Sequence, residues 1–365
     1  MKIVLINPAK QIRKEIKQLS TIFSEEEYQV TVLSPSEPTT IIQGKNVSHK
    51  RVHTWEVPGV RYTIPSPSMV ANIFKEVRGS DAVIAASHIY LPSFISILIA
   101  SLFGKRSITI VDALPGISWT YGSTIVDIIA KIYMLTIGSF TLSMSDSVVC
   151  LGSYLLDDLS RFVPRDKVHV VPNGVDVDEY PIPESNDTDE YINLLYVGRL
   201  DPVKNISSLI YGVKYLSEEY NVYLDIVGDG TQYSYFKSKA DSMGIGDIVT
   251  FHGWQKDVNK YYNKADVFVL SSLSEGLPSV VLEAQASGVP VVSTDVGGVS
   301  EMIGSGTLIE ESKPENIKRG IARLIESGTL APQPKARNHI KQNFSIEDMS
   351  DRYKELVELG IEHSD

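Results

Sequence analysis

The chain has 365 residues, 43% of them hydrophobic and 22% charged. That supplies apolar matter for two cores of ordinary size and excludes a disordered or fibrous protein. The formal net charge of −11, with no basic stripe, excludes nucleic acid as the expected partner.

The opening MKIVLINPAK reads as a strand. It lacks the long apolar core and the small-residue cleavage site of a secretory leader, so a cytoplasmic location is expected. The Asn-x-Ser/Thr triplets at Asn46, Asn186, Asn205 and Asn343 therefore carry little meaning. A single cysteine, Cys150 in the run SVVCLG, cannot form an internal disulfide and reads as a small buried strand residue.

Short β-branched runs alternate with helical patterns along the whole chain. In the first half they are KIVLIN, QVTVL, AVIAAS, SITIVD, SVVCLG and VHVVPN. In the second half they are NLLYVG, VYLDIVG, IVTFHG, VFVLSS, VPVVST and GTLIE. Many are apolar on both faces, as strands of a covered parallel sheet must be. Strand–helix alternation predicts right-handed βαβ units. The uncharged stretch 82–104 is long enough to span a bilayer. His88 and Pro92 break it, however, and it is read as a buried strand (82–87) and a buried helix (about 92–103).

The segment NGVDVDEYPIPESNDTDEY (173–191) has the acidic, proline-containing composition of a linker. The expected architecture is α/β, with two doubly wound Rossmann-like domains, residues 1–172 and 173–344, facing a cleft. Residues 1–172 carry 17 basic and 14 acidic side chains, and residues 173–365 carry 17 and 31. The tail from Ser345 reads as an amphipathic helix, with Ser345 and Asp348 at capping-box spacing.

In open α/β sheets ligands bind beyond the carboxyl ends of the strands. In VGRLDPVKN, Arg199 and Lys204 follow a strand of an otherwise acidic domain and suit a diphosphate; the alternative for Arg199 is a salt bridge to Asp201. In IVGDGT, Gly228, Asp229 and Gly230 predict a tight turn with backbone N–H groups to offer, although Tyr233 breaks the full dinucleotide fingerprint. After FHGW, Trp254 and Lys256 are candidates for the nucleobase region. In SEGLPSVVLEAQASG, Pro278 suits the first helical position, and Gly276 and Leu277 lie at an anion-binding helix N-terminus. Glu275 lies on the loop beside that N-terminus. Glu283 lies about 7.5 Å further along the helix axis and faces into the domain. Gly297 and Gly298 form a further turn after the next strand.

These residues together resemble the retaining GT-B glycosyltransferases of family four. The pair Glu275…Glu283 matches their Glu-x7-Glu signature, with VPNGVDVDEY, VGRLDPVKN, IVGDGT and FHGW in order. The resemblance implies that the second domain binds a nucleotide-diphosphate sugar. Arg199 and Lys204 would hold the diphosphate, Glu283 the ribose hydroxyls, and Glu275 with the amides near Gly276 and Leu277 the donor sugar. It also implies that the C-terminal helix (about 345–365) packs back on the first domain. No metal or other cofactor is expected, because fixed cations and a helix N-terminus carry the leaving-group charge.

The first domain departs from the family pattern. The loop after its first strand is NPAKQIRKE where many relatives have Gly-Gly, and the fourth strand ends at Asp112 where many have His. His88 and Asp112 are the catalytic candidates there, with a hydrogen-bonded structural histidine as the alternative for His88. The expected activity is retaining transfer of a hexose from a UDP- or GDP-sugar to a glycan or lipid-linked acceptor. The alternatives are a nucleotide-sugar epimerase, a sugar phosphorylase, or a silent nucleotide-sugar binder. A glycoside hydrolase would leave Arg199 and Lys204 unexplained. The apolar stretches 90–103 and 123–144, with Lys105, Arg106 and Lys131, point to peripheral membrane contact on the cytoplasmic face.

Overall fold

The computed structural model describes residues 1–26, 28–35, 45–56, 63–120, 124–182 and 191–359. The Asn186 triplet, the acidic centre of the linker and the last six residues of the expected C-terminal helix lie outside them. The chain forms two compact units, residues 1–172 with 349–365, and residues 173–348.

The first unit holds β1 (Lys2–Ile6), β2 (Gln29–Ser34), β3 (Val47–Arg51), β4 (Thr54–Glu56), β5 (Thr63–Pro65), β6 (Ala82–Ala86), β7 (Arg106–Val111), β8 (Ser147–Cys150) and β9 (Val168–Val170). Seven of these make a parallel sheet in the order β3-β2-β1-β6-β7-β8-β9, and β4 and β5 form a separate antiparallel ladder. The all-buried AVIAA of β6 and the buried Ile3–Ile6 of β1 show why the centre reads as unbroken apolar runs: helices cover both faces.

The helix Leu91–Leu102 follows β6, as the sequence predicts. After β7 comes a longer one. Thr124–Tyr133 runs through a π-helical turn, Met134–Gly138, into Ser139–Met144. Its inner residues Met134 and Leu142 join a core with Val111, Leu114, Val148 and the fully buried Cys150. The C-terminal helix Ile346–Glu358 begins where Ser345 Oγ accepts from the Asp348 N–H at 3.1 Å. From Met349 on it belongs to the first unit, where Arg106 Nε donates to the Leu356 carbonyl and Arg352 Nη1 to the Val170 carbonyl.

The second unit holds β10 (Ile192–Val197), β11 (Val222–Val227), β12 (Val249–Gly253), β13 (Val267–Leu270), β14 (Val291–Thr294) and β15 (Gly306–Ile309). All are parallel, in the order β12-β11-β10-β13-β14-β15. This is the Rossmann order, and its reversal falls between β10 and β13. The loops after those two strands are therefore the ones free to hold a ligand. In the first unit the same reversal falls between β1 and β6.

Candidate functional site

In the second unit, residues 198–205 leave β10 and residues 271–278 leave β13, on either side of the switch point. The two loops are tied together. Ser271 Oγ donates to the Lys204 carbonyl at 2.9 Å, and Leu273 N–H to the Val203 carbonyl at 2.8 Å. Asn205, in the left-handed region at φ 47°, donates its amide to the Ser312 carbonyl and hydroxyl. The loops hold Lys204 Nζ 2.5 Å from Glu275 Oε1, and Ser272 Oγ donates to the same oxygen at 2.6 Å. Thr294 in turn fixes the Ser272 carbonyl at 2.6 Å. Lys204 and Glu275 are 15% and 10% exposed, so the pair is largely shielded while still reachable. An ammonium has three N–H donors, and the one spent on Glu275 leaves two for phosphate oxygens.

Glu275 leads into the helix Ser279–Ala286. Pro278 is not the first helical residue as expected. At φ −70° and ψ 109° it is extended and caps the helix from outside, so the helix begins one residue later. Glu283 faces inward. Its Oε2 accepts from the buried Tyr262 hydroxyl at 3.1 Å, and Tyr180 packs edge-on against that ring. Burial first, then the Glu283 charge, push the Tyr262 phenol well above its ordinary range, so it stays a donor. Tyr262, Ser272 and Thr294 escape sequence reasoning; only the position of Ser272, at the end of a switch-point strand, signals it.

Arg199 forms the alternative, the salt bridge to Asp201. Its Nη1 lies 2.6 Å from Asp201 Oδ2 and the side chain is half exposed. Two of the three N–H groups of the Gly228–Asp229–Gly230 turn are engaged within the unit, Gly228 donating to the Gly253 carbonyl and Gly230 to Asp229 Oδ1. These glycines serve the approach of two loops. At φ 138°, a Cβ on Gly228 would lie 1.9 Å from the Gly198 carbonyl oxygen. Gly228→Ala is expected to destabilise the unit by about 2–4 kcal/mol, read as a lowered calorimetric midpoint. Trp254 is 72% exposed and Lys256 is exposed too, beyond Gly253 at the end of β12. Gly276 accepts the Gly298 N–H at 2.9 Å, and Leu277 is buried.

In the first unit, Asn7 ends β1 and shapes the loop after it. Its Nδ2 donates to the Ala9 carbonyl at 2.6 Å, and its Oδ1 accepts from the Arg13 N–H. Arg13 sits between two carboxylates, with Nε on Glu15 and Nη2 2.6 Å from Asp112 Oδ2. Burial alone would raise the Asp112 carboxyl. The Arg13 charge and hydrogen bond outweigh it and leave the group below its usual value. Asp112 is thus an ionised hydrogen-bond acceptor, one third exposed.

His88 takes the structural alternative rather than facing a ligand. It is fully buried beneath the π turn, with Nε2 2.8 Å from Met134 Sδ and, among the described residues, no partner for Nδ1. Burial pushes it down from 6.5 to about 4. Between those values the unfolded chain binds a proton that the folded one does not, so stability falls as pH drops through this window. The loss should approach 3 kcal/mol at about 1.4 kcal/mol per pH unit, and His88→Gln should flatten it in urea titrations at pH 4 to 7. Among the described residues no group of three His, Cys, Asp or Glu side chains is placed to hold a metal ion.

Comparison with known proteins bears on this arrangement. The family model of Glycosyltransferase Family 4 matches residues 16–179, and that of Glycosyl transferases group 1 matches residues 178–345. Over 229 residues the chain is 30% identical to the UDP-Gal:alpha-D-GlcNAc-diphosphoundecaprenol alpha-1,3-galactosyltransferase of Escherichia coli, covering 58% of this chain and 57% of that one. Over 224 residues it is 28% identical to the lipopolysaccharide core biosynthesis glycosyltransferase LpsE of Rhizobium meliloti, covering 58% and 64%. The chain thus spans less than two thirds of the length of these curated relatives. The structure of Anabaena HepE in complex with UDP and glucose matches at a TM-score of 0.79 and 16% identity, over 98% of this chain and all of that one, which shows the fold. Two successive family matches, laid over two Rossmann-like units, make this chain a member of the family 4 and group 1 glycosyltransferases of GT-B fold.

Proposed function

We propose that the protein is a retaining, metal-independent hexosyltransferase. It moves a hexose from a UDP- or GDP-sugar to a hydroxyl of a glycan or lipid-linked glycan precursor, on the cytoplasmic side of a membrane. The observation that carries this reading is the Lys204–Glu275–Ser272 constellation at the switch point of the second unit. The names of relatives support it: the E. coli enzyme is named for UDP-Gal and a diphosphoundecaprenol acceptor, and HepE was solved with UDP and glucose.

In this mechanism Lys204 contacts the diphosphate and gains strength as the leaving group takes on charge, with Arg199 exchanging Asp201 for a phosphate oxygen. The amides of Gly276 and Leu277 at the helix N-terminus add to this. Glu275 is spoken for by two donors, which suits orienting a sugar hydroxyl rather than carrying a proton. Glu283, steadied by Tyr262, accepts from the ribose. Trp254, Lys256, Gly228 and Asp229 border the nucleobase region. The acceptor oxygen forms the new C1–O bond on the face from which the diphosphate departs, and its proton passes to the departing phosphate oxygen. Asp112, held ionised by Arg13, accepts a substrate hydroxyl in the first unit.

A thermal-shift screen of UDP-, GDP- and ADP-sugars, followed by NMR of the product anomer, tests the reading. A shift with one donor, a product of retained configuration and undiminished turnover in EDTA are expected. No shift with any donor, or an inverted product, would overturn it.

A further inference from the structure

The helix Thr124–Met144 is apolar over its length, with a mean hydropathy of 1.6 across its most apolar window, yet only 22% of that window is buried. Ile125, Ile128, Ile129 and Ile132 repeat at the spacing of one helical face and are all more than half exposed, as are Leu135 and Phe140. Core packing does not explain them. The neighbouring helix Leu91–Leu102 packs between Pro67–Arg78 and the 134–144 portion, and it ends with Leu102 and Phe103 exposed. Phe74 meets Phe103 edge-on at 5.6 Å, and the Arg78 guanidinium lies 5.4 Å over the Phe103 ring.

The charges on this layer are uneven. Lys75, Arg78 and Lys131 are exposed, and Lys105 is half exposed. The carboxylates beside them are engaged: Asp127 accepts from the Thr120 hydroxyl and Glu76 from Lys50. An apolar stripe edged by exposed cations complements an anionic lipid surface.

We propose that this helix lies in the plane of an anionic bilayer and anchors the first unit to it. Length alone would let the helix span, but its inner side is committed to the core through Met134 and Leu142. It therefore rests on the membrane, with the isoleucines sunk among the acyl chains and Lys131 at the headgroups. This does not depend on glycosyl transfer, because binding is read without a sugar donor.

The test is co-sedimentation of the full chain with phosphatidylcholine vesicles, with and without 30% phosphatidylglycerol, an arbitrary probe composition of about one anionic lipid in three. Binding at least about tenfold stronger to the anionic vesicles and weakened by salt is expected. Ile129→Glu with Ile132→Glu should abolish it with an unchanged melting midpoint, since both side chains point outward. Lys131→Glu with Arg78→Glu should remove the anionic preference while keeping the apolar face, which guards against a folding defect in the first variant. Absence of binding by the unaltered chain, or binding indifferent to both variants, would overturn the proposal. So would a dimer in solution that the isoleucine variant dissolves while vesicles are ignored, which would assign the face to a second copy of the chain.

Discussion

Lys204→Ala should lower kcat/KM for transfer by about 10²–10³-fold, the loss typical of one charged group aimed at a developing anion. The ammonium sits at the end of a 3₁₀ turn, Pro202–Lys204, whose carbonyls are held by Ser271 and Leu273 from the neighbouring loop. It is therefore placed before any ligand arrives, and little ordering remains to oppose binding. Removing it also strands Glu275. That carboxylate would keep Ser272 but lose its counter-charge, at a cost of about 1–3 kcal/mol in stability. The double variant Lys204→Ala with Glu275→Gln should recover much of the melting midpoint and none of the activity. Steady-state kinetics and thermal melts of the unaltered protein, Lys204→Ala, Glu275→Gln and the double variant give both numbers. Activity within about threefold of the unaltered protein would remove Lys204 from the leaving-group site.

Glu275 and Glu283 should separate on kinetics. Glu283→Ala is expected to raise the donor KM by about 10–100-fold with kcat largely kept, because a ribose contact serves ground and transition states alike. Glu275→Ala should lower kcat as well, by about 10²-fold, because its sugar contact positions the reacting carbon. Stability separates them too. Glu283→Ala leaves the buried Tyr262 hydroxyl only the Val280 carbonyl at 3.4 Å, whereas Glu283→Gln keeps a closer acceptor for it and should melt nearer to the unaltered protein. Equal loss of donor affinity with unchanged turnover in both alanine variants would refute this division of roles.

The central strands were legible because burial on both faces writes them as apolar runs, and all six runs in each half became strands. The edge strand β3, VSHKR, and the β4–β5 hairpin were not, because half-exposed strands carry polar residues and lose that mark. The residues at the donor-side strand ends could be named from spacing, but their partnerships could not. Lys204 and Glu275 are 71 positions apart and meet only because β10 and β13 are neighbours, while Arg199 finds Asp201 two positions away. His88 misled for the same reason. A residue at a strand end reads as facing a ligand, and only the tertiary fold shows a helix from some 45 residues later closing over it.

The π turn at Met134–Gly138 has an evolutionary reading. One surplus residue in a helix rotates everything beyond it by about 100° relative to a regular continuation. The π turn absorbs that rotation in one wider turn, so deleting a single residue there would restore the α ladder with the far segment still facing as it does, whereas closing the turn to α without a deletion would swing that segment round by about 100°. In that case Leu142 would leave the core, and the outward Phe140 would turn toward the place Thr141 now fills. The insertion therefore works as a register key, letting one helix show isoleucine to the outside on its first half and still deliver leucine to the interior on its second. A single-residue deletion inside this turn should therefore lower the melting midpoint less than the same deletion in the α segment on either side, where nothing absorbs the lost residue.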